Sequence, residues 1–259
     1  MDEGDKENLR LVRRIHRLEG NMEELEQLSD HNAQLMNQFM RELAEERQRS
    51  EDLLLNVLPQ RIVDRLHQGE TAIADRVDDV AVVFSDFVGF TQLAAQRPAA
   101  SIVADLSTLF SRFDVICDAH GVEKIKTIGD AYMAAAGLAG TGIDPVEPAA
   151  RAALDMRAAV EGSGTGWQVR IGISVGPVVA GVIGTRRFAY DVWGDTVNLA
   201  SRLESTAGSG QIQVSAAVAE RLAGRCELER RGEIELKGKG PTATALLLGP
   251  VGSPGGEPG

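Results

Sequence analysis

A heptad runs through the first part of the chain: Leu11, Ile15, Leu18, Met22, Leu25, Ser29, Asn32, Met36, Phe39, Leu43, Glu46, Ser50, Leu53, Val57. Its steps alternate between four and three residues, which keeps one seam on one side of a helix. Glu, Arg and Gln fill the positions between, and Gly20 is the only glycine from Leu11 to Leu58. The pattern predicts a long helix over residues 1–58 that pairs in parallel with a second copy as a coiled coil. The alternative is an amphipathic helix packed on its own domain. Ser29, Asn32, Glu46 and Ser50 are polar seam positions, which weaken such a pair while fixing its register.

Pro59 stops that pattern. Residues 59–78 then read as a short helix and hinge, with Pro59 in its first turn and Gly69 as its stop. From Asp79 the periodicity becomes mixed. DVAVVFSDF predicts a buried strand, and residues 99–119 predict a helix with Ile102, Leu106, Leu109, Phe113 and Ile116 on one face. VEKIKTIGDAYMAAAGL predicts a hairpin turning near Gly129, and residues 146–160 a second helix. WQVRIGISVGPVVAGVIG reads as two strands joined at Gly176–Pro177, a turn dipeptide. DTVNLASRLEST predicts a helix that starts at Asp195, QIQVS a short strand, and residues 226–248 a terminal hairpin. Residues 250–259 are Gly/Pro-rich and predict a disordered tail. The expected division is therefore 1–58, 59–78, a globular 79–249, and 250–259.

Composition narrows the function. The chain has 259 residues and a net charge of −11. That balance argues against a nucleic-acid partner, because phosphate backbones require a basic face. It leaves room for a phosphate-bearing small ligand whose charge a metal ion offsets. Cys117 and Cys226 are the only cysteines and belong to no Cys/His cluster, so neither a disulfide framework nor a zinc site is expected. No apolar run reaches the roughly 20 residues of a membrane helix. A cytoplasmic protein is expected, or the cytoplasmic portion of a larger receptor or membrane protein.

Three constellations carry chemistry. Asp86 ends the strand in VVFSDFVGFT, and Asp130 sits at the hairpin turn in EKIKTIGDAYM. Two carboxylates at the ends of adjacent strands can hold hard divalent cations through oxygen. In YDVWGDTVNLASRLES, Asn198 and Arg202 are four apart, so they share a helix face. An amide and a guanidinium on one face suit a hydroxyl and a phosphate. Near the end, ELKGKGP sets Lys237 and Lys239 beside glycines that let backbone approach a ligand. Each feature alone is common at structural positions.

In this order, SDFVGFT, EKIKTIGDAYMA, YDVWGDTVNLASRLES and KGKG resemble the class III adenylate/guanylate cyclase catalytic domain, over roughly residues 52–248. The resemblance implies an α/β (α+β) fold, the ferredoxin-like palm of that family behind an N-terminal coiled-coil helix, with active sites at a head-to-tail dimer interface. It implies that Asp86, Asp130 and the backbone carbonyl of Phe87 hold two divalent cations, Mg2+ or Mn2+. Asn198 and Arg202 match the pair that stabilises the transition state, and Lys237 matches the lysine on the β- and γ-phosphates. Phe87, Gly89, Phe90 and Thr91 match the loop around the phosphates. Lys126 and Asp191 match the base-selecting pair of adenylate cyclases, where guanylate cyclases usually carry Glu and Cys or another small residue. The implied activity is ATP to 3′,5′-cyclic AMP and pyrophosphate in a homodimer, with an upstream sensor or receptor domain as a further partner. The alternatives are a guanylate cyclase and a non-catalytic dimeric signalling module.

Overall fold

The computed structural model describes residues 3–140, 142–184 and 188–252, and the chain divides into two units, residues 1–68 and 69–259. Residues 253–259, most of the expected tail, lie outside the described residues. In the first unit, α1 (Glu3–Leu55) is one uninterrupted helix of 53 residues. Its seam is open: Leu25 is 64%, Phe39 64% and Leu43 65% exposed. Leucine and phenylalanine are normally buried, so this face of the helix is open. The helix ends three residues earlier than the pattern predicts, and Val57 falls in the turn that follows. Leu58 precedes Pro59, and residues before proline are pushed out of the helical region. Pro59 then caps α2 (Gln60–His67) from outside the helix rather than from its first turn, and Gly69 at φ 85° follows its end.

The second unit is built on β1 (Ala74–Phe87), β2 (Glu123–Ile128), β3 (Ala131–Ala136) and β4 (Val169–Ile183). They lie in the order β2-β3-β1-β4, all antiparallel. Helix α4 (Ala99–His120) connects β1 to β2, and α5 (Val146–Glu161) connects β3 to β4. This is the expected ferredoxin-like β-α-β-β-α-β pattern. Val80–Phe84 of β1 are buried throughout, as a central strand covered on both faces requires. One face packs on α4 and α5. Ile102, Leu109, Phe113, Met156 and Val160 meet Ala81, Val83, Ile171 and Ile173 there. Burying each larger apolar side chain contributes about 1.5–3 kcal/mol.

The other face carries α6 (Asp195–Thr206). Gly172 makes that approach close. A methyl group there would come within 2.2 Å of both the Ala200 carbonyl oxygen and the Glu204 amide nitrogen. Ser174 Oγ donates to the Thr196 carbonyl beside it. The sheet continues through β6 (Ile212–Ser215), parallel to β4, and then β8 (Gly240–Pro250) and β7 (Cys226–Leu236). Short α7 (Ala216–Leu222), capped by the Ser215 hydroxyl, links β6 to β7.

Three expectations change. Gly176–Pro177 is not a turn: β4 runs straight through it. The register slips between Val77 and Val80, so Asp78 and Asp79 together face Pro177. Proline is tolerated at such a bulge, since no ladder hydrogen bond is asked of it. β1 starts at Ala74 rather than Asp79, because its first residues pair with β4 beyond the bulge and carry little apolar signal. β5 (Ala189–Trp193), α7 and α3 (Phe90–Gln96) are elements that the periodicity did not reveal. No helix among the described residues is long and apolar enough to cross a membrane.

Candidate active site

Strand β1 turns polar at its end. Ser85 is buried and Asp86 is partly exposed, on a floor of valine and phenylalanine. Neighbouring β3 brings the second aspartate. Ile128 pairs with Ala131, leaving Gly129 and Asp130 as a two-residue turn, with Gly129 at φ 64°. That left-handed conformation is one glycine adopts without steric cost. Because Ser85 pairs with Tyr132, the turn lies beside the end of β1. Burial and then the Asp86 charge push the Asp130 carboxyl up to about 6.

Register places Arg170 of β4 directly across from Asp86. Its Nη2 donates to Asp86 Oδ2 at 2.6 Å. Its Nε lies 2.9 Å from Glu204 Oε1 on α6. That second contact is an ion pair off the line of a good hydrogen bond, since neither atom has a hydrogen-bond partner. Glu204 is buried, and desolvation raises its carboxyl to about 7 against the pull of Arg170. Three carboxylates thus face one guanidinium. Sequence reasoning passed over Arg170 and Glu204. The available signal was an arginine inside an otherwise apolar strand, VRIGIS, and an acid in the first residues after SRL.

The pair fits divalent cations. A carboxylate whose proton affinity a neighbouring carboxylate raises, as Asp86 raises that of Asp130, is relieved by a cation between them. Among the described residues no cluster of three or more His, Cys, Asp or Glu ligands forms. The remaining ligands would be backbone, water or substrate oxygens, the set Mg2+ commonly takes alongside one or two carboxylates. Phe87 follows Asp86. Its ring is buried against Phe110 and Phe113 and tilts onto Trp167 at 5.0 Å, which anchors its backbone beside the aspartate. Gly89, at φ 69°, starts α3, and Phe90 packs edge-on against Trp167 at 5.8 Å. The amides of Phe90 and Thr91 fall in the first turn of α3, where a helix offers no acceptor. The Thr91 side chain lies outside the described residues.

A second group forms at the other end. Lys126 of β2 donates to Asp191 Oδ2 of β5 at 2.5 Å. Asp191 Oδ1 accepts from the Val192 amide at 2.8 Å. Helix α6 starts at Asp195 and carries Asn198 and Arg202 on successive turns. The turn joining β7 to β8 lies over it. Gly238, at φ 72°, sits against the Arg202 guanidinium, so that even an added methyl group would lie only 3.7 Å from it. Lys239 is tied to Asp195 by an ion pair, whereas Lys237 is exposed. The loop thus assigns its two lysines different surroundings.

Within one chain the structure ties the expected site residues into separate groups: Asp86 with Asp130, Lys126 with Asp191, and Arg202 with the Lys237 loop. Among the described residues no hydrogen bond or ion pair joins one of these groups directly to another.

Comparison with known proteins identifies the family. The family model described as "Adenylate and Guanylate cyclase catalytic domain" matches residues 73–249. An adenylate cyclase of Mycobacterium tuberculosis is 47% identical over 209 residues, covering 79% of this chain and 47% of that protein. The human atrial natriuretic peptide receptor 2 is 39% identical over 241 residues, covering 90% of this chain and 23% of the receptor. The chain thus spans less than half the length of these curated relatives. The guanylate cyclase domain of RhGC from Catenaria anguillulae, solved in complex with GTP, superposes with a TM-score of 0.66 at 33% identity, over 68% of this chain and 99% of that one. With the family model matched over residues 73–249 and a relative 47% identical across 79% of this chain, it belongs to the class III adenylate/guanylate cyclase catalytic domain family.

Proposed function

We propose that the chain is an adenylate cyclase that forms 3′,5′-cyclic AMP and pyrophosphate from ATP as a homodimer. The observation that carries the choice of base is the Lys126–Asp191 pair. An ammonium has three donors and an ionised carboxylate about four acceptor sites. Lys126 can therefore keep Asp191 and still donate to adenine N1. Asp191 can keep Lys126 and the Val192 amide and still accept from the 6-amino group. Guanine reverses both positions, with an acceptor O6 and a donor N1–H. Leaving buried polar groups mispaired discriminates strongly.

The resemblance to a family whose active sites lie at a head-to-tail dimer interface supports the homodimer. One protomer supplies Asp86 and Asp130, and its partner supplies the base pair, Asn198, Arg202 and Lys237. Two copies make two equivalent sites. The open seam of α1 supplies a reason for the copies to associate, and pairing along it raises the effective concentration of the catalytic units. An upstream sensor or receptor domain would act through that helix.

The reaction asks little covalent chemistry of the protein. Asn198 orients the ribose, so that its 3′-oxygen lies in line with the α-phosphorus. Arg202 offsets charge that grows on the α-phosphate oxygens, and Lys237 holds the β- and γ-phosphates as pyrophosphate leaves. Asp86, Asp130 and the Phe87 carbonyl would hold Mg2+ or Mn2+, whose chemistry is to acidify the 3′-hydroxyl and neutralise the triphosphate. The Phe90 and Thr91 amides offer further donors to phosphate oxygens. The competing reading, a GTP-using enzyme, requires the Lys126–Asp191 pair to accept the opposite donor–acceptor pattern. The test is product formation from ATP with Mg2+ and with Mn2+ by the intact chain and by Asp86→Ala. Cyclic AMP from the intact chain alone is expected; cyclic AMP from both would remove the metal assignment, and no product from the intact chain would favour a non-catalytic module.

A further inference from the structure

Glu204 stands in the sequence two residues after Arg202, on the helix that carries Asn198. By position it would be counted with the transition-state residues. Its contacts say otherwise. Its carboxylate turns to Arg170 of β4, 2.9 Å away, and Arg170 holds Asp86 at 2.6 Å. The helix backbone is fixed for this. Gly172, two residues along from Arg170 on the same strand, lets the Glu204 amide sit where any side chain would collide.

We propose that Glu204 is a positioning residue for the metal aspartates of its own chain, acting through Arg170, and not for the site that its own helix serves. This rests on the reading above, in which each site takes its aspartates from one protomer and Asn198 and Arg202 from the other. Under that reading α6 works for two sites. Its Asn198–Arg202 face serves one, and Glu204 serves the second by way of Arg170 and Asp86.

Charge explains the need. Asp86, Asp130 and Glu204 share a single guanidinium, and Glu204 is the most buried of the three. A charge taken out of water must be matched by its neighbours. With Glu204 ionised, Arg170 divides its charge between two carboxylates, and Asp86 is held in place without being fully neutralised. If Glu204 is made neutral, Arg170 falls to Asp86 alone. That pair tightens, and Asp86 is harder to surrender to a cation. Partners that orient metal ligands from behind typically change affinity or activity 10–100-fold when lost.

The test is a doubly tagged heterodimer of full-length chains, Asp86→Ala paired with Arg202→Ala. Each variant homodimer is expected to be inactive, and the heterodimer to recover one working site. That site takes Asp86 from the Arg202→Ala chain and Arg202 from the Asp86→Ala chain. Glu204→Gln is then added to one chain or the other. On the Arg202→Ala chain it is expected to raise the Mg2+ needed for half-maximal rate, or lower the rate, by on the order of 10–100-fold. On the Asp86→Ala chain the loss is expected to be at least about tenfold smaller, because there Glu204 stands behind a dead metal site. An equal loss on either chain, or a larger loss on the Asp86→Ala chain, overturns the proposal, and a mere folding defect would not respect the choice of chain. A heterodimer without recovered activity would overturn the composite-site reading instead. Glu204 is then decided by Mn2+ binding to the Glu204→Gln homodimer, followed by the electron paramagnetic resonance signal of free Mn2+. Weaker binding than the parent supports the role, and an unchanged dissociation constant contradicts it.

Discussion

The two ends of the candidate site are charged in opposite ways. At the base end, Lys126 and Asp191 meet one to one at 2.5 Å. At the metal end, three carboxylates meet one arginine, and two of the three hold their protons more tightly than usual. Under the proposed function the balanced end, with no electrostatic demand for a ligand, would choose among ligands by pattern, and the unbalanced end, short of positive charge, would take a cation. Selectivity and chemistry would then rest on different residues, and changes at one end should leave the other standing.

The largest expected effect is at the unbalanced end. Asp86→Ala should lower turnover by on the order of 10³ or more, since a catalytic metal is worth several kcal/mol and each 1.36 kcal/mol is tenfold. Binding of nucleotide through Lys126, Asp191 and Lys237 should persist, as measured by displacement of a fluorescent ATP analogue. If binding and turnover vanish together, the two ends are not separable. Next comes the base end. Lys126→Glu combined with Asp191→Cys should cut the preference for ATP over GTP by on the order of 10²-fold or more in relative kcat/KM. The metal dependence should not move, and a changed Mg2+ requirement would break the comparison.

A smaller effect is expected where the ends are joined. Gly172→Ala forces α6 away from β4, against backbone atoms 2.2 Å from the new methyl group. It should cost about 1–3 kcal/mol, read as a lower midpoint in urea. Activity should fall further than that loss of stability accounts for, since Asn198, Arg202 and Glu204 all ride on this helix. The smallest effect is a slope. Folding raises the Glu204 carboxyl from its ordinary 4.5 to about 7. The folded chain therefore holds this proton over a range where the unfolded chain has lost it, and stability from this group falls as pH rises from about 4.5 to about 7. Asp130, raised to about 6, contributes with the same sign. Without added metal, Glu204→Gln should flatten the decline of Tm across that window, leaving the part due to Asp130. An unchanged slope would mean that Glu204 is not the group titrating.

Much of this was legible in the sequence, because local chemistry wrote it there. The heptad required a long helix, the 99–119 face required α4, and SDF and IGDAY placed aspartates at a strand end and a turn. What could not be read depends on register. Arg170 faces Asp86 only because β4 pairs with β1 in the register that runs from Val80 opposite Gly176 to Phe87 opposite Val169, and no local pattern marks that register. Glu204 reaches Arg170 only because Gly172 lets α6 lie flat on the sheet. β5 pairs with the far half of β4, and nothing in the alternation of AYDVW marks its partner.

The choice of ATP over GTP turns on the Lys126–Asp191 pair, and the most direct test is competition. With ATP and GTP present together at equal concentration, and Mg2+ saturating, cyclic AMP and cyclic GMP are measured in the same reaction over time. Cyclic AMP is expected to dominate by on the order of 10²-fold or more, the discrimination expected when a site's donors and acceptors are matched to one base. Cyclic GMP in equal or greater amount would contradict it, leaving the fold, the metal site and the dimer to be explained around a different base.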